Sequence, residues 1–593
     1  MDALTHNYVR VAQISDLEAK GYLLVRVEGQ TIALFHHKDR IYAVDNRCPH
    51  MGFPLHQGSV SNCILTCHWH HARFDLESGG TFDPWADDVR SFPVQIRSGE
   101  VWLDLTDYLD AKTHARQRLI DGLQQSISLI IAKSVLALLT EGIEPTEAFQ
   151  VGLDFGVRYR VSGWGAGLTM HTCMINLLPY LDKRDRPRAL YHGLAAVAAE
   201  CAGKPPRFEQ QPLPLSEQTA DKLPLLENWF RQFIEVRDAR GAERCLVSAI
   251  ELGVERQQIA QMLFAAATDR RYLDGGHTLD FTNKALEALD TVEWQNAASV
   301  LTSLVRGYAS AERKEESNAW RYPIDLVAIL EHAFSRLDAA IALRALPKAI
   351  AKGDEKRASW TDKERLVEVL LGEDPQAIAD SLLEALRNGA AFEELAGTVA
   401  YAATLRIAQF STNNDFGDWN RAHHSFTFAN AVEEGLRRVP SPLLLRGVFD
   451  AAMTVYLNRF LNVPPARLPE PGAAAAKPEE LLERLPELLD RQQQVDKAGK
   501  LVARYLYSGG NPDRLLAMIG KLLLREDRDF HTIQEIEAAF RQYARLRETK
   551  AGIHVLVAAT RYLAAHAPTR RSQGQTYEMA EKLHLGERVF EAS

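Results

Sequence analysis

Cys48-Pro49-His50 is followed after sixteen residues by Cys67-His68-Trp69-His70, so two thiols and two imidazoles fall within a short stretch near the start of the chain. Sulfur and nitrogen donors in equal number suit a transition metal. Cys₂His₂ sets hold tetrahedral zinc, and the same four atoms can hold two irons, thiolates on one and neutral imidazoles on the other. The second arrangement carries one electron at a higher potential than an all-cysteine cluster.

The surroundings of these residues resemble the Rieske ferredoxin domain. Met51-Gly52-Phe53-Pro54-Leu55 after the first pair and Phe74-Asp75-Leu76-Glu77-Ser78-Gly79 after the second are similar to that family's loops, and they fit a zinc finger poorly. The resemblance implies a 2Fe-2S cluster with Cys48 and Cys67 on one iron and His50 and His70 on the other. It also implies an electron donor such as a ferredoxin reductase. The second loop departs from the usual pattern at His68, which replaces a proline, and at His71, which replaces a glycine; with His56, these are expected to be exposed loop residues. Respiratory-chain members of the family carry a loop-bridging disulfide where this chain has Phe53 and Trp69, and hydroxyl donors where it has Ala72 and Phe74. Fewer hydrogen bonds to cluster sulfur lower the potential, so a value near the bottom of the roughly −150 to +300 mV Rieske range is expected.

Short apolar runs must position these loops: Tyr22 to Val27, Thr31 to Phe35, Ile41 to Val44, Pro93 to Arg97 and Val101 to Leu105, punctuated by Gly29, Lys38-Asp39 and Ser98-Gly99. They predict a small all-β domain over residues 1–108. After Thr106 the chain turns to Ala/Leu/Glu/Arg-rich segments with apolar residues three and four apart, such as Pro224 to Ile234, Ala377 to Leu386 and Pro478 to Leu489. These predict a large all-α domain over residues 109–593. Pro-rich stretches at Pro205 to Pro214 and Pro464 to Pro478 are read as connections.

The helical region carries a fourfold pattern. Gly142, Gly253, Gly389 and Gly509 each follow a predicted helix, and Arg158, Arg270, Arg406 and Arg525 follow sixteen or seventeen residues later, expected in ion pairs between units. A histidine followed by Thr or Ser then opens another helix, at His171, His277, His424 and His531. A second basic position recurs at His192, Arg446 and His554. The lead histidines are 106, 147 and 107 residues apart, as though a two-unit block had been duplicated around an insertion near Trp320 to Lys363. Four helical repeats are therefore expected, over about 118–208, 225–318, 366–465 and 493–575, each completing its core against its neighbours. If they close on one another, His171, His277, His424 and His531 would converge. Such a site could bind a second metal or haem, or act in acid–base chemistry, with Asp415, Asp418 and His423 as local helpers. The alternative is that each His merely starts a helix and packs, with the hydroxyl capping it.

The texture of Gly389 to Ala396 is similar to carboxymuconolactone-decarboxylase-like proteins, but their reactive CxxC is absent. The His-led helices are more similar to the questin oxidase family, which would imply helical, His-rich oxygenases of Baeyer–Villiger type. Ring-hydroxylating oxygenase α subunits resemble only the first hundred residues, because no Asp-x-x-His-x-x-x-x-His segment follows.

A chain of 593 residues has room for several domains. Its net charge of −9 offers no footprint for nucleic acid. The most apolar run, Ile127 to Leu139, is short and broken by Lys133, and Met1 to Arg10 lacks a secretory pattern, so no membrane span and a cytoplasmic location are expected. The scattered Cys63, Cys173, Cys201 and Cys245 are expected as buried reduced thiols. Two functions follow: an electron-transfer-coupled oxidoreductase, with oxygenase action on a small organic substrate as its natural use, or a non-enzymatic Rieske carrier on a helical docking scaffold.

Overall fold

A computed structural model describes residues 7–106, 110–160, 162–214, 222–345, 360–471, 477–587 and 589. Part of the Trp320 to Lys363 insertion and part of the second Pro-rich connection lie outside these. The architecture is a small β domain at the N-terminus followed by a large helical region, with 25 α-helices in all among the described residues. No helix among them is long and apolar enough to cross a membrane.

Two units are distinguished, residues 1–148 with 572–593, and residues 149–571. In the first, the strands are β1 (Tyr8–Gln13), β2 (Tyr22–Val27), β3 (Gln30–His37), β4 (Arg40–Asp45), β5 (Ser59–Ser61), β6 (Ile64–Thr66), β7 (Arg73–Asp75), β8 (Val94–Arg97) and β9 (Glu100–Asp104). They form three antiparallel three-stranded sheets, ordered β1-β9-β8, β2-β3-β4 and β5-β6-β7. Side chains alternate across a strand, and β3 uses both faces. Ala33 and Phe35 join Tyr42, Val44, Cys48, Leu65, Cys67 and Phe74 in one apolar cluster, while Ile32 and Leu34 join Leu17, Ala43, Val101 and Leu103 in another. A one-residue slip of β3 would exchange the two faces, so this strand sets where the cysteines lie. The cysteine-bearing loops leave β4 and β6.

This unit continues past residue 108. Helix α1 (Ile14–Lys20) lies within the β domain; α2 (Ala111–Gln125) and α3 (Ser128–Thr140) follow it. Asp110 caps α2 by accepting from the Lys112 N–H, and Ser126 at φ +53 ends it. Arg118 of α2 donates to the Ala86 carbonyl (2.6 Å), and Lys133 of α3 donates to the Pro49 carbonyl (2.5 Å). The C-terminal helix Ser572–His584 packs on α3, with Thr140 Oγ1 2.8 Å from His584 Nε2. Polar anchors of this kind tie α2 and α3 to the β domain and the C-terminal helix to α3, which is why the unit does not stop where strand texture stops.

In the second unit four histidine-bearing helices, Ala166–Leu177, His277–Thr291, Trp419–Arg438 and Phe530–Arg545, pack in a cycle, each against two others. Lys284 is fully buried among them, 2.6 Å from Glu537 and 3.0 Å from Glu287. Asn176 reaches the same two carboxylates at 3.0 and 2.8 Å. Burial alone would drive the proton off Lys284, but the two glutamates outweigh it and hold the ammonium above its ordinary range. A half-satisfied buried charge is costly, so this lattice defines how the helices register.

Gly142, Gly253, Gly389 and Gly509 all take left-handed backbone, φ +72 to +99, just after a helix. Of the four arginines, Arg270 pairs with Glu235 inside its own expected unit and Arg525 with Asp490 (2.9 Å) just ahead of its unit, so neither pair joins two units as expected. Arg406 instead donates to the Val455 and Leu371 carbonyls and to Asn462, which corrects the ion-pair expectation there. Arg158 lies over the Tyr159 ring. The stretch around Arg207, expected as a connection, is anchored by donation to the Ser299 carbonyl (2.9 Å). Cys173, Cys201 and Cys245 are buried, whereas Cys63 is half-buried near the Tyr42 hydroxyl (3.8 Å).

Candidate redox centre and histidine site

The two cysteine loops share one backbone design. Cys48 N–H donates to the Phe53 carbonyl (2.8 Å) and Gly52 N–H returns to the Cys48 carbonyl (2.7 Å). In the second loop Cys67 N–H donates to Ala72 (2.8 Å) and His71 N–H to Cys67 (2.9 Å). The fourth residue after each cysteine is left-handed, Gly52 at φ +80 and His71 at φ +63. A glycine takes that conformation freely and a histidine does not, so His71 sits under local strain.

The loops bring Cys48, His50, Cys67 and His70 together. Both cysteines are buried, and their thiols are close enough to hydrogen-bond each other. That contact, more than burial, pushes Cys48 up, and it lowers Cys67 to about 6. Backbone N–H groups of His50 and Met51 face the Cys48 sulfur; those of Trp69 and His70 face Cys67. The His50 and His70 rings lie 5.0 Å apart, edge to face, and Trp85 walls His50 from another side at 4.7 Å. Burial, with His70 and Lys133 nearby, lowers His50 to about 4 and keeps it neutral. Its Nδ1 is buried without a hydrogen-bond partner. A neutral imidazole with an orphaned nitrogen, on the same loops as two paired thiols, fits a metal cluster with mixed ligands.

Comparison with known proteins decides the family. Residues 7–93 match the Rieske 2Fe-2S domain. The ferredoxin component of the naphthalene 1,2-dioxygenase/salicylate 5-hydroxylase systems of Ralstonia sp. is 30% identical over 103 residues, 17% of this chain and 99% of that protein. This chain belongs to the Rieske 2Fe-2S family. The 4beta-methylsterol monooxygenase of Methylococcus capsulatus is 34% identical over 113 residues, 17% of this chain and 30% of that one. Among solved structures, the ferredoxin of carbazole 1,9a-dioxygenase from Nocardioides aromaticivorans IC177 is similar at 25% identity over 17% of this chain and 99% of that chain, with a TM-score of 0.16. A Rieske domain implies a 2Fe-2S cluster and a role in electron transfer.

Other details of the Rieske loops are specific to this chain. Phe53 and Trp69, expected in place of a disulfide, have ring centroids 6.1 Å apart, so a ring contact spans the loops. Ala72 and Phe74 are fully buried and bring no hydroxyl. His68 and His71 are exposed as expected, but His56 is half-buried, its Nδ1 3.0 Å from Asn46 Oδ1.

In the helical unit His277, His424 and His531 converge, with one ring nitrogen from each lying within 4.8 Å of the others. His424 Nε2 and His531 Nε2 are 3.1 Å apart. Several residues preceding His277 have positive φ: Tyr272 (+43), Asp274 (+51), Gly275 (+63) and Gly276 (+97). A Cβ on Gly276 would come within 2.9 Å of Phe428. The tight turn makes His277 the first residue of its helix and aims it across to its partners. Burial, then the neighbouring imidazoles, lowers His424 to about 3, and His531 is lowered for the same reasons; unprotonated nitrogens are what a metal needs.

His171 does not join them. It is 1% exposed, stacks on Phe149 at 4.4 Å and shares a hydrogen bond with the Phe149 carbonyl (2.9 Å). A Cβ on Gly152 or Gly193 would strike its ring, so those glycines make its slot. The reason is helical phase. Asn176, Asn283, Asn430 and Glu537 all join the buried polar lattice, and the last three fall six residues after His277, His424 and His531. Counting back six from Asn176 reaches Met170, so His171 is turned by about 100°. Asp415 is exposed and Asp418 faces Arg421 (3.7 Å), which removes both as helpers of the trio. His192 is buried beside the Tyr191 ring, and His554 bonds the Tyr401 hydroxyl (2.7 Å).

His423 was expected beside the trio from the sequence, but its partner and several other residues there were not. His423 shares a 2.9 Å hydrogen bond with Glu535, both fully buried, and burial raises the Glu535 carboxyl well above its usual range. Asp280 lies 4.0 Å from His277 and accepts from Gln534. A cavity of about 390 Å³, walled by Trp164, Phe281, Tyr308 and Phe530, reaches His277 and His531. The signals were present as Asp280 three residues after His277 and Glu535 four after His531, spacings that share a helix face.

Proposed function

We propose that Cys48 and Cys67 hold one iron and His50 and His70 the other iron of the cluster, and that His277, His424 and His531 hold a second metal ion at which electrons are used. When bound, the cluster supplies one electron at a time. A reductase would feed it, as the resemblance to Rieske ferredoxins implies; the relatives are named as ferredoxin components of dioxygenase systems. The reading is a Rieske-coupled oxidoreductase that modifies a small organic molecule with oxygen. The observation that carries it is the convergence of three imidazoles from three helices beside an aromatic-walled cavity. Three nitrogen donors with room for further ligands suit a redox-active or Lewis-acidic first-row ion. Glu535, through His423, and Asp280 beside His277 would orient the donors, since partners behind ligating histidines tune such sites.

Metal analysis of the purified chain with low-temperature EPR tests this. The expected result is two irons plus one further metal per chain, with His277→Ala losing the further metal and keeping the reduced cluster signal. Wild-type protein with two irons and no other metal would overturn the second site.

A further inference from the structure

Helices α2 and α3 bring an unusual set of charges to the wall of the cluster loops. Lys133 Nζ donates to the carbonyl of Pro49, the residue between Cys48 and His50. Arg118 donates to the Pro84 and Ala86 carbonyls on either side of Trp85, whose ring walls His50. Asp87 pairs with Arg118 and with a histidine of α2: it lies 3.0 Å from Arg118 Nε and 3.1 Å from His114 Nε2. Burial would raise the Asp87 carboxyl, but His114, Lys133 and Arg118 outweigh it and hold it at about 2. A second pairing, Arg118 with Asp121 at 3.1 Å, uses Arg118 on its other side. Lys133 has no carboxylate within ion-pair distance of its own among the described ion pairs; burial lowers its ammonium, the Asp87 charge opposes that, and Nζ is held on the loop carbonyl.

We propose that Lys133 is a potential-setting residue for the 2Fe-2S cluster, its ammonium on the loop carbonyl stabilising the reduced form, with Asp87 as the opposing charge. Reduction adds one negative charge to the cluster. A cation held against the loop between two ligands, in a partly desolvated site of low effective dielectric, favours that added charge. Redox centres are tuned by charge and hydrogen bonding around them. The cation comes from a helix outside the β domain, so the helical extension adjusts the potential of the domain it follows, offsetting in part the hydroxyl donors missing at Ala72 and Phe74. The proposal rests on the cluster ligands named above and not on the second metal.

The test is an EPR-monitored redox titration of the full chain and its variants. Lys133→Met should lower the midpoint potential, shifting the reduction equilibrium about tenfold, which is about 59 mV for a one-electron couple. Lys133→Arg should restore most of it, and Asp87→Asn should move it upward. Opposite shifts in the Met and Asn variants support the proposal; shifts of the same sign, or none with an intact Rieske signal, overturn it. If Lys133→Met assembles no cluster, Asp87→Asn decides alone by whether the potential rises. A wild-type chain with no reduced Rieske signal would instead overturn the ligand assignment.

Discussion

The Rieske loops and the histidine trio use similar donor chemistry, yet they are assembled in opposite ways. Cys48, His50, Cys67 and His70 come from two adjacent loops of one small domain. His277, His424 and His531 come from three helices more than a hundred residues apart in sequence. Local hydrogen bonds of the same pattern shape each Rieske loop; the trio depends on the left-handed turn before His277 and on the buried lattice of Lys284, Glu287 and Glu537. A site made by nearby chain should tolerate changes elsewhere, whereas one made by packing should not.

The largest expected effect breaks the first half of this comparison. Cys67→Ser should abolish the reduced Rieske EPR signal while leaving any metal at the trio in place, read by metal content of the purified chain. Next, His424→Ala should weaken binding of the second metal by about 100-fold or more, since even residues behind ligating histidines cost 10–100-fold. A competition titration with a chelator would measure it, and the Rieske spectrum should be unchanged.

A third effect sharpens the contrast between His171 and the trio. Burial, opposed by its bond to the Phe149 carbonyl, lowers His171 to about 4, below the roughly 6.5 of an unfolded histidine. The unfolded chain therefore takes up a proton that the folded chain refuses. Stability is unaffected above about pH 6.5, falls as pH drops toward 4 and levels off below it, a loss of about 3 kcal/mol. His171→Gln should flatten the melting-temperature slope across that window by one proton's worth. The smallest effect concerns His71, whose φ of +63 matches Gly52 in the other loop. His71→Gly should raise the melting temperature of the loaded protein, a gain of up to about 1 kcal/mol.

Much of the first unit was legible because its signals are short-range. The strands β2, β3, β4, β8 and β9 show alternation or clear turn punctuation, and all were anticipated within a few residues. β5, β6 and β7 have three residues each, too few for a period to register. The helices near Pro224, Ala377 and Pro478 were also legible, and that of Pro478–Leu489 was placed to the residue. What failed was helical phase. His171 and His277 look equivalent in sequence, but one residue of offset turns a side chain to another face. Spacing put Glu535 on the helix face of His531 and Asp280 on that of His277, but nothing near Glu535 and Gln534 in the chain announces that they meet His423 and Asp280.

By itself the order of amino acids determined that this protein carries a Rieske 2Fe-2S domain and that a long helical region follows it. Donor types, loop spacing and hydrophobic period are local properties that survive in a linear string. Only tertiary structure decided that three lead histidines meet and the fourth does not, and that Lys133 of α3 reaches the loop between Cys48 and His50. Those outcomes turn on helix rotation and on the pairing of distant charges, which depend on every packed neighbour at once.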